Sequence, residues 1–542
     1  MTDRLNLPLP YREELEALLR EHVPGVEVWA YGSRVDGRSH DGSNLDLVLR
    51  SPTLEPLGYE YVELVKALEQ SDIPILVQTH DWARLPESFH REIERDYVVV
   101  QDVGLELTSK GYGGWAQVSI GDMVDIKHGF AFKGDYIHDE PRGDVLLTPG
   151  NFGVGGGFKG ERFKFYDGHV PEEFVLSKGD LLVTMTDLSK LSDTLGYPAL
   201  VPDRPEGRRY LHNQRLGKVT PKRAEAIDTR FLYYVMCTAD YRQEVLASAT
   251  GTTVKHTSPD RIKQFRFMLP PLPEQRAIAH ILGALDDKIE LNRRLNETLE
   301  AMARAIFQDW FVDFGPVRTK IEGREPYLSL DLWDLFPDRL VDSELGEIPE
   351  GWTVGEIGDV ATQRRQAVKP KDIGPGTPYI ALEHMPRKCV ALSEWDHAEG
   401  LASGKFRFHK SDILFGKLRP YFHKVGVAPL DGVCSTDIVV VSPKPSDWFG
   451  LALGHLSSAE FIDYTDATST GTRMPRANWK DMALYKIGLP GLEVARSYAE
   501  VVWQWTDKIV SNIHESRFLA AQRDALLPKL VSGEIIANQW ST

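Results

Sequence analysis

A heptad-like seam of hydrophobic positions begins just after Pro273 and continues for about four heptads. Its members alternate spacings of four and three, with polar exceptions at Asn292 and Asn296; they are Ile278, Leu282, Leu285, Ile289, Asn292, Asn296, Leu299, Ala303 and Ile306. That rhythm predicts a long helix that packs along one seam, because a 3.5-residue period keeps the same face towards a partner. Asparagines in such a seam fix the register of coiled coils.

A second seam with the same rhythm and more polar interruptions lies near the end of the chain. It consists of Val494, Tyr498, Val501, Trp505, Lys508, Asn512, Glu515, Leu519, Gln522 and Leu526. Two interpretations fit the pattern: the two helices pair with each other, or each packs on its own domain.

Short β-type runs, punctuated by Gly and Pro, precede each long helix. Examples are VLSKGDLLVTMT before the first helix and KSDILFGKLRPYF before the second. Such runs predict two globular domains, each followed by its own helix.

The chain repeats itself after residue 110. Trp115 and Ile120-Gly121-Asp122 recur 237 positions later, and Thr250-Gly251-Thr252 recurs 220 positions later. Further matches are Lys178–Leu182 with Lys410–Leu414, Leu269–Leu272 with Leu489–Leu492, and Asp287–Ile289 with Asp507–Ile509. The offset between matching residues changes only in the middle of the copies. This pattern indicates two diverged copies of one module and not a solenoid.

Composition places the chain among multidomain globular proteins. Its 542 residues predict three or four domains. No apolar run reaches the roughly 18 residues of a membrane span, no signal-peptide pattern opens the chain, and three scattered cysteines predict free thiols in a cytoplasmic protein. The net charge is −16, and residues 1–108 carry −11 of it, from 10 Lys+Arg and 21 Asp+Glu. The residues after 108 are close to neutral overall, so each copy can carry a basic face.

Residues 112–538 resemble the specificity subunit of type I restriction-modification systems. The resemblance rests on the order of eight strings: LHNQRLGKV (Leu211–Val219), TGTTVKHTSPDRI (Thr250–Ile262), LPPLPEQRAIA (Leu269–Ala279), FQDWFVDF (Phe307–Phe314), GEIPEGW (Gly346–Trp352), ILFGKLRPYFHK (Ile413–Lys424), CSTDIVVV (Cys434–Val441) and LLPKLVSGEI (Leu526–Ile535). It implies that each copy is a target-recognition domain that grips one half of a split DNA target. It also implies that the two helices form an antiparallel coiled-coil spacer.

The same resemblance implies partners and cofactors. Methyltransferase subunits, two of them in this family, dock on the helices, and restriction/motor subunits bind through them. The chain itself is then non-catalytic and holds no cofactor, while S-adenosylmethionine, ATP and Mg²⁺ belong to the partners.

The predicted fold class is α/β (α+β) multidomain. The predicted domains are a small nucleotidyltransferase-like domain (1–108), a first recognition domain (109–272), a first spacer helix (273–314), a linker (315–345), a second recognition domain (346–492), and a second spacer helix with the C-terminal tail (493–542).

Candidate DNA-binding residues cluster beside the β-type runs. Their side chains suit DNA, because Arg pairs well with guanine, Asn and Gln pair with adenine, and Lys bonds phosphate. In the first copy they are Arg208, Arg209, His212, Asn213, Gln214, Arg215, Lys255, His256, Arg261 and Lys263; in the second they are Lys417, Arg419, Tyr421, His423, Lys424, Arg473, Arg476 and Lys480. Any single one can also be an ordinary surface charge.

A glycine-rich stretch, NFGVGGGFKG from Asn151, fits a dinucleotide-binding spacing through Gly155, Gly157 and Gly160. A true fingerprint opens a helix, whereas the strand-like ERFKFYDGH follows here. We therefore predict a flexible loop. The sequence also contains neither an Asn-Pro-Pro-Tyr-type methylation motif nor a phosphate loop with Gly-Lys-Ser/Thr.

Residues 1–105 predict the order helix, strand, loop, helix, strand, helix, and resemble the minimal nucleotidyltransferase fold. That family has Gly-Ser, then Asp-x-Asp, then a third carboxylate that together hold two metal ions. Here Gly32 and Ser33 are present and Asp46 remains, but Asn44 replaces the first carboxylate and Gln78 the third. Loss of anionic ligands weakens divalent-metal binding. These departures from the family pattern indicate an inactive domain, with Gly32, Ser33 and Asp46 as a vestigial nucleotide site. The alternative is an active metal-dependent nucleotidyltransferase that the duplicated region guides.

Overall fold

The computed structural model describes residues 5–23, 26–35, 37, 39–40, 43–51, 56–71, 73–86, 89–90, 93–101, 115–160, 162–187, 193–203, 207–251, 254–471 and 473–537. The chain divides into two compact units. The first consists of residues 1–127, 220–223 and 258–272, and the second of 128–219, 224–257 and 273–542. The predicted boundary at residues 108 and 109 lies outside the described residues.

Among the described residues, a four-stranded sheet with two helices forms the N-terminal part of the first unit. Its elements are α1 (Leu9–His22), β1 (Glu27–Tyr31), β2 (Leu45–Arg50), α2 (Tyr59–Glu69), β3 (Val77–Asp81) and β4 (Tyr97–Gln101), with strand order β3-β2-β1-β4. β2 forms because Leu45, Leu47 and Leu49 alternate along it and all three are buried in one core. The predicted element order was wrong in omitting β2 and β4.

The first unit also holds the two ends of the first copy's globular part. Strand Ala116–Ser119 pairs antiparallel with Arg266–Leu269, next to short helices Ile120–Met123 and Pro259–Gln264. The second copy builds the same motif within the second unit. There, strand Thr353–Glu356 pairs with Lys486–Leu489, and the short helices are Ile357–Val360 and Trp479–Met482.

In the second unit, both copies contain a mixed sheet around one parallel pair of strands. Tyr210–His212 lies parallel to Asp144–Leu147 in the first copy, and Gly432–Cys434 lies parallel to Pro378–Ile380 in the second. The first copy's other strands there are Ile137–His138, Lys164–Tyr166, Val175–Leu176, Leu181–Thr184, Thr186–Asp187, Pro198–Leu200, Leu216–Pro221 and Lys255–His256, with helices Thr229–Val235 and Ala239–Ala247. The second copy's are Ala361–Gln363, Gln366–Val368, Asp396–His397, Lys405–Phe408, Ile413–Gly416, Val425–Val427 and Ile438–Pro443, with helices Phe449–Leu456 and Ala459–Ala467.

The glycine-rich stretch is a constrained turn and not a helix start. Gly155, Gly156 and Gly157 have φ of +88°, +99° and +94°, a region that other residues rarely adopt. Backbone hydrogen bonds hold the turn, from Gly153 N to Gly157 O and from Gly157 N to Pro198 O, both 2.9 Å. Strand Lys164–Tyr166 follows, as predicted. These bonds give no support to the predicted flexibility.

Two long helices dominate the second unit, and they pair with each other. The first long helix, Leu272–Phe307, has 36 residues and continues into a π-turn at Gln308–Val312; the second, Leu492–Ser532, has 41 residues. Hydrogen bonds join Asn292 to Glu515, Asn296 to Asn512 and Ala303 to Tyr498. Because the partner number falls as the residue number rises, the two helices are antiparallel.

The buried face of the second long helix is wider than its predicted seam. Lys508 is exposed, whereas Val502, Thr506, Ile509 and Ile513 are buried. This helix contacts the second copy's helix Phe449–Leu456 as well as the first long helix, so a strict two-stranded seam does not describe it. The prediction of a seam through Lys508 was wrong at that position.

The segment 315–345 between the first helix and the second copy is ordered. It forms helices Gly315–Ile321 and Leu330–Trp333 and a hairpin from Leu340–Ser343 and Gly346–Pro349. Val317 and Phe336 join the core of the second copy. Among the described residues, no helix is long and apolar enough to cross a membrane.

Candidate nucleic-acid interface

Three segments of the second copy meet at a junction that places several predicted DNA-binding residues together. The Lys417 N–H donates to the Asp437 carbonyl at 3.0 Å, and the Ala477 N–H donates to the Lys417 carbonyl at 2.9 Å. Arg476 lies beside them, with Nε 3.3 Å from Asp437 Oδ1 and a half-exposed side chain. The junction therefore joins segments that are 60 residues apart in the sequence.

The first copy builds the same junction from equivalent residues. The Met185 N–H donates to the Arg215 carbonyl, and the Thr257 N–H donates to the Met185 carbonyl, both at 3.0 Å. His256 occupies the place of Arg476, and its Nδ1 lies 3.1 Å from Thr186 Oγ1. His256 exchanges backbone hydrogen bonds with Thr250 as Arg476 does with Thr470, so the offset of 220 holds in three dimensions.

Around these junctions, seven of the predicted residues are exposed and available to a partner. They are Gln214, Arg215 and His256 in the first copy and Tyr421, Arg473, Arg476 and Lys480 in the second. Arginine and glutamine can bond base edges, and lysine and arginine can bond phosphates. The structure thus places both Arg215 and the segment that carries His256 against Met185, although 41 residues separate Arg215 from His256 in the sequence.

Other predicted residues of the first copy already have partners within the protein. Arg209 binds Asp144 Oδ2 through two nitrogens, at 2.7 and 2.9 Å, which raises the pKa of the guanidinium. Arg208 donates to the carbonyls of Gly143 and Pro141. Asn213 accepts a hydrogen bond from the Arg215 N–H at 2.9 Å, so it shapes the turn that carries Arg215. Lys255 is half-buried on the short strand that precedes His256.

Arg261 and Lys263 lie in the first unit, on the short helix Pro259–Gln264. Both side chains are half-buried, and Lys263 Nζ lies 3.1 Å from Asp260 Oδ1. Lys263 also packs against Gly121, because a methyl group added at Gly121 would lie 3.0 Å from the Cβ atom of Lys263.

In the second copy, two predicted residues face inwards. The imidazole of His423 hydrogen-bonds the Ser457 carbonyl at 2.9 Å, and Lys424 donates to the Leu382 carbonyl. Burial lowers the pKa of both groups. Arg419 adopts a left-handed backbone with φ of +53°, and its buried Nε has no hydrogen-bond partner among the described residues. Neither His423 nor Lys424 therefore presents its polar end at the junction.

The assignment of His212 to the DNA-binding set is corrected. Its side chain is 2% exposed, and its Nε2 lies 3.0 Å from the Leu216 carbonyl. Burial lowers the pKa of the imidazole to about 4. His212 is the last residue of strand Tyr210–His212, and the sequence could not show which way its side chain points, since alternate residues of a strand face opposite sides.

His212 should make the protein sensitive to acid. The unfolded chain takes up a proton near pH 6.5 and the folded chain only near pH 4, so stability falls as the pH drops through this window. The cost should reach about 3 kcal/mol. The substitution His212→Gln should flatten the loss of unfolding free energy between pH 6.5 and 4, measured by urea unfolding. An unchanged pH slope would show that His212 does not stay neutral in the fold.

Residues that the candidate set missed complete the second junction. Asp437 holds Arg476 in place, and Arg387 stacks on Phe422 with its guanidinium carbon 4.0 Å from the ring centre. Asp437 takes the place of Arg215 in the fold, because both residues accept the equivalent backbone hydrogen bond. The contact of Arg387 with Phe422 has no local sequence signal.

The N-terminal sheet brings the vestigial nucleotide-site residues together. Gly32 follows β1 with φ of +77°, and a methyl group added there would lie 2.9 Å from Asp46 Oδ2. Asp46 is opposite Tyr31 on β1 and opposite Gln78 on β3. Gln78 therefore stands beside Asp46, where a third carboxylate was expected. Ser33 is half-buried in the turn that follows Gly32.

Asp81 does not replace the missing carboxylate. It lies three residues beyond Gln78 on β3, and its buried side chain accepts hydrogen bonds from the backbone N–H groups of Leu57 and Ala83. Burial raises the pKa of Asp46, and the nearby His80 opposes that shift. Burial, followed by the charge of Asp46, raises the pKa of Tyr31 to about 12. Within the described residues, no group of three or more His, Cys, Asp or Glu side chains could hold a metal ion.

Comparison with known proteins identifies relatives of the duplicated region. Residues 112–301 match the family described as "Type I restriction modification DNA specificity domain". The type I restriction enzyme MjaIX specificity subunit of Methanocaldococcus jannaschii is 25% identical over 334 residues, covering 60% of this chain and 72% of that protein. The crystal structure of a type I restriction-modification system S subunit from M. genitalium matches 80% of this chain and 98% of that chain at 16% identity, with a TM-score of 0.47.

A separate similarity covers a shorter stretch. The probable protein adenylyltransferase MntA of Haemophilus influenzae is 39% identical over 89 residues, which are 16% of this chain and 76% of that protein.

The family match begins just before the first copy's strand Ala116–Ser119 and ends within the first long helix, so it covers the globular part of the first copy and most of its helix. Specificity subunits of type I systems are non-catalytic, and their partner subunits provide the enzyme activities. The chain is therefore a homologue of the type I restriction enzyme specificity subunits, and its role is DNA sequence specificity.

Proposed function

We propose that this chain reads a bipartite DNA target, with one half-site bound at each of the two junctions. The observation that carries the proposal is the duplicated junction itself, at Met185, Arg215 and His256 and again at Lys417, Asp437 and Arg476. The two copies are joined by paired helices. A 36-residue helix is about 54 Å long, while half-sites one DNA turn apart are separated by roughly 34 Å. The spacer is long enough for both copies to reach one duplex.

The proposal includes the partners of such a complex. Methyltransferase subunits, two per chain, dock on the long helices, and restriction/motor subunits join through them. S-adenosylmethionine, ATP and Mg²⁺ act in those subunits, and this chain binds none of them. The complex works in the cytoplasm, where bacterial DNA lies. Support comes from the family match and from the relatives' role as specificity subunits.

The test is a base-resolution map of adenine methylation after the full chain and its methyltransferase subunits are expressed in a host that lacks them. We expect one new split motif, two short specific halves around a fixed unspecified gap. Methyltransferase subunits without this chain are the control and should add no motif. An assembled complex that methylates no split motif would overturn the proposal.

We further propose that residues 1–108 form an inactive nucleotidyltransferase-like domain. The resemblance around Gly32, Ser33 and Asp46 and the similarity to the probable adenylyltransferase MntA support the fold. Inactivity is supported by Gln78 beside Asp46, because an amide supplies no negative charge to a metal pair. The competing possibility is an enzyme that transfers nucleotide and uses the duplicated region to find its substrate.

The substitution Asp46→Ala separates these two possibilities. We expect methylation of the split motif to remain within about twofold of wild type, since Asp46 belongs to the N-terminal sheet and to neither recognition junction. We also expect no transfer of label from α-labelled ATP by the full chain with Mg²⁺. Metal-dependent labelling that Asp46→Ala abolishes would establish the enzyme instead.

A further inference from the structure

Glu300 connects the first long helix to the second copy through a buried carboxylate. Its side chain is 5% exposed. Oε2 accepts a hydrogen bond from the Val390 N–H, and Oε1 accepts one from the Ala391 N–H, both at 3.0 Å. The thiol of Cys389 donates to Oε1 at 3.3 Å. One acidic residue of the first module thus binds three consecutive residues of the second recognition domain.

The rest of this contact between helix and domain is apolar. Leu299 of the first long helix, Ala391 of the second copy and Ile509 and Ile513 of the second long helix form one buried cluster. A cavity of about 40 Å³ lies beside Glu300. Apolar contacts are non-directional and tolerate small rotations, whereas two hydrogen bonds to fixed backbone donors specify an orientation. The carboxylate is therefore the directional part of the first long helix's contact with the domain. The second long helix has its own directional contacts, since Arg517 donates to the Ser393 carbonyl and the His514 imidazole hydrogen-bonds the Pro429 carbonyl, both at 3.1 Å.

The first long helix contacts the first copy at one position and the second copy at Glu300, so the length of helix between them separates the two copies. Tyr234 Oη of the first copy donates to Asp286 on the same helix at 2.7 Å. Fourteen residues of helix separate Asp286 from Glu300, which is about 21 Å. One base pair of DNA spans only about 3.4 Å. A movement of a few ångströms at Glu300 would therefore change the spacing between the two junctions by one base pair.

We infer that Glu300 is a positioning residue that fixes the length of the gap in the bipartite target. This inference rests on the proposed function, because it requires two half-sites on one duplex. Without the carboxylate, the first long helix can take more than one position against the second domain, which the second long helix still holds through Arg517 and His514. Sites with a gap one base pair longer or shorter then become acceptable.

The test uses the full chain with its methyltransferase subunits and takes genomic DNA as the probe, since a genome contains both half-sites at many spacings. The variants are Glu300→Ala, which removes both acceptors, and Glu300→Gln, which keeps one. The control is Glu297→Gln on the same helix, whose side chain is 60% exposed and pairs with Arg293 of its own helix. The measured quantity is methylation at gaps one base pair off, divided by methylation at the wild-type gap.

We expect this ratio to rise about 10-fold for Glu300→Ala, the size of effect that loss of one or two oriented hydrogen bonds allows. Glu300→Gln should give a smaller rise, and Glu297→Gln none. A lower unfolding midpoint and weaker methylation at an unchanged ratio would overturn the inference, because a purely stabilising residue affects all spacings equally. If the alanine variant does not fold, the glutamine variant decides. Absence of any split motif with the wild-type chain would instead count against the proposed function.

Discussion

Replacing Arg476 with alanine should weaken recognition of one half of the split motif and leave the other half intact. The guanidinium is half-exposed, and Asp437 holds it in place through Nε. Its terminal nitrogens, which have no hydrogen-bond partner among the described residues, can bond a base or a phosphate. Loss of such a contact costs about 1–3 kcal/mol, so methylation at limiting enzyme should fall about 10- to 100-fold. The map should also show relaxed sequence preference at one position of that half.

Two variants make this result specific. His256→Ala alters the equivalent position of the first copy, so it should weaken the opposite half of the motif. Arg496→Ala is the matched control, because Arg496 is also an arginine whose Nε faces an aspartate, Asp447 at 3.5 Å, but it lies on the second long helix. An equal loss at both half-sites, or an equal effect of Arg496→Ala, would contradict the assignment of Arg476 to a recognition junction.

Replacing Asn512 alone with leucine should destabilise the helix pair, whereas replacing Asn296 and Asn512 together should restore or increase stability. Asn512 Nδ2 donates to Asn296 Oδ1 at 2.8 Å, and both side chains are buried. The single change leaves a buried amide without its partner, at a cost of about 1–3 kcal/mol. The double change also removes Asn512 Oδ1, which is buried without a hydrogen-bond partner among the described residues.

A double-mutant cycle by urea unfolding of the full chain measures this coupling. We expect the two changes to be non-additive by about 1–3 kcal/mol. Lys508→Leu is the control: it alters a position of the predicted seam that the structure leaves exposed, so it should not stabilise the helix pair. Additive effects of the two asparagine changes would show that the two amides do not act as a pair.

Much of the architecture follows from the sequence because its signals are local. The four-and-three spacing predicted the first long helix, which begins at Leu272, one residue from the predicted start. The repeated strings predicted equivalent elements, and the structure confirms them in the matched strand pairs of the two copies. Strand β2 was missed because Gly and Asn residues at its entrance suggested a loop, although Leu45, Leu47 and Leu49 alternate behind them.

The candidate site was less predictable because DNA-binding chemistry depends on which side chains reach the surface. His212, His423 and Lys424 belong to polar strings of the same kind as Arg215 and Arg476. Only the fold shows that His212 is buried and that His423 and Lys424 hydrogen-bond carbonyls within the domain. A side chain's direction at the end of a strand or in a left-handed turn depends on residues far away in the sequence.

The sequence by itself determined that the chain contains two copies of one module, each with a long helix, and that its relatives specify DNA targets. These conclusions rest on repeated strings and on the helical period of hydrophobic residues, and both can be read from short stretches of the sequence. The tertiary structure alone decided that the helices pair antiparallel through Asn296 and Asn512 and that Arg215 and Thr257 both hydrogen-bond the backbone of Met185. It also decided that Glu300 binds the second domain. Each of these contacts joins residues far apart in the chain, and only the folding of the backbone brings them together.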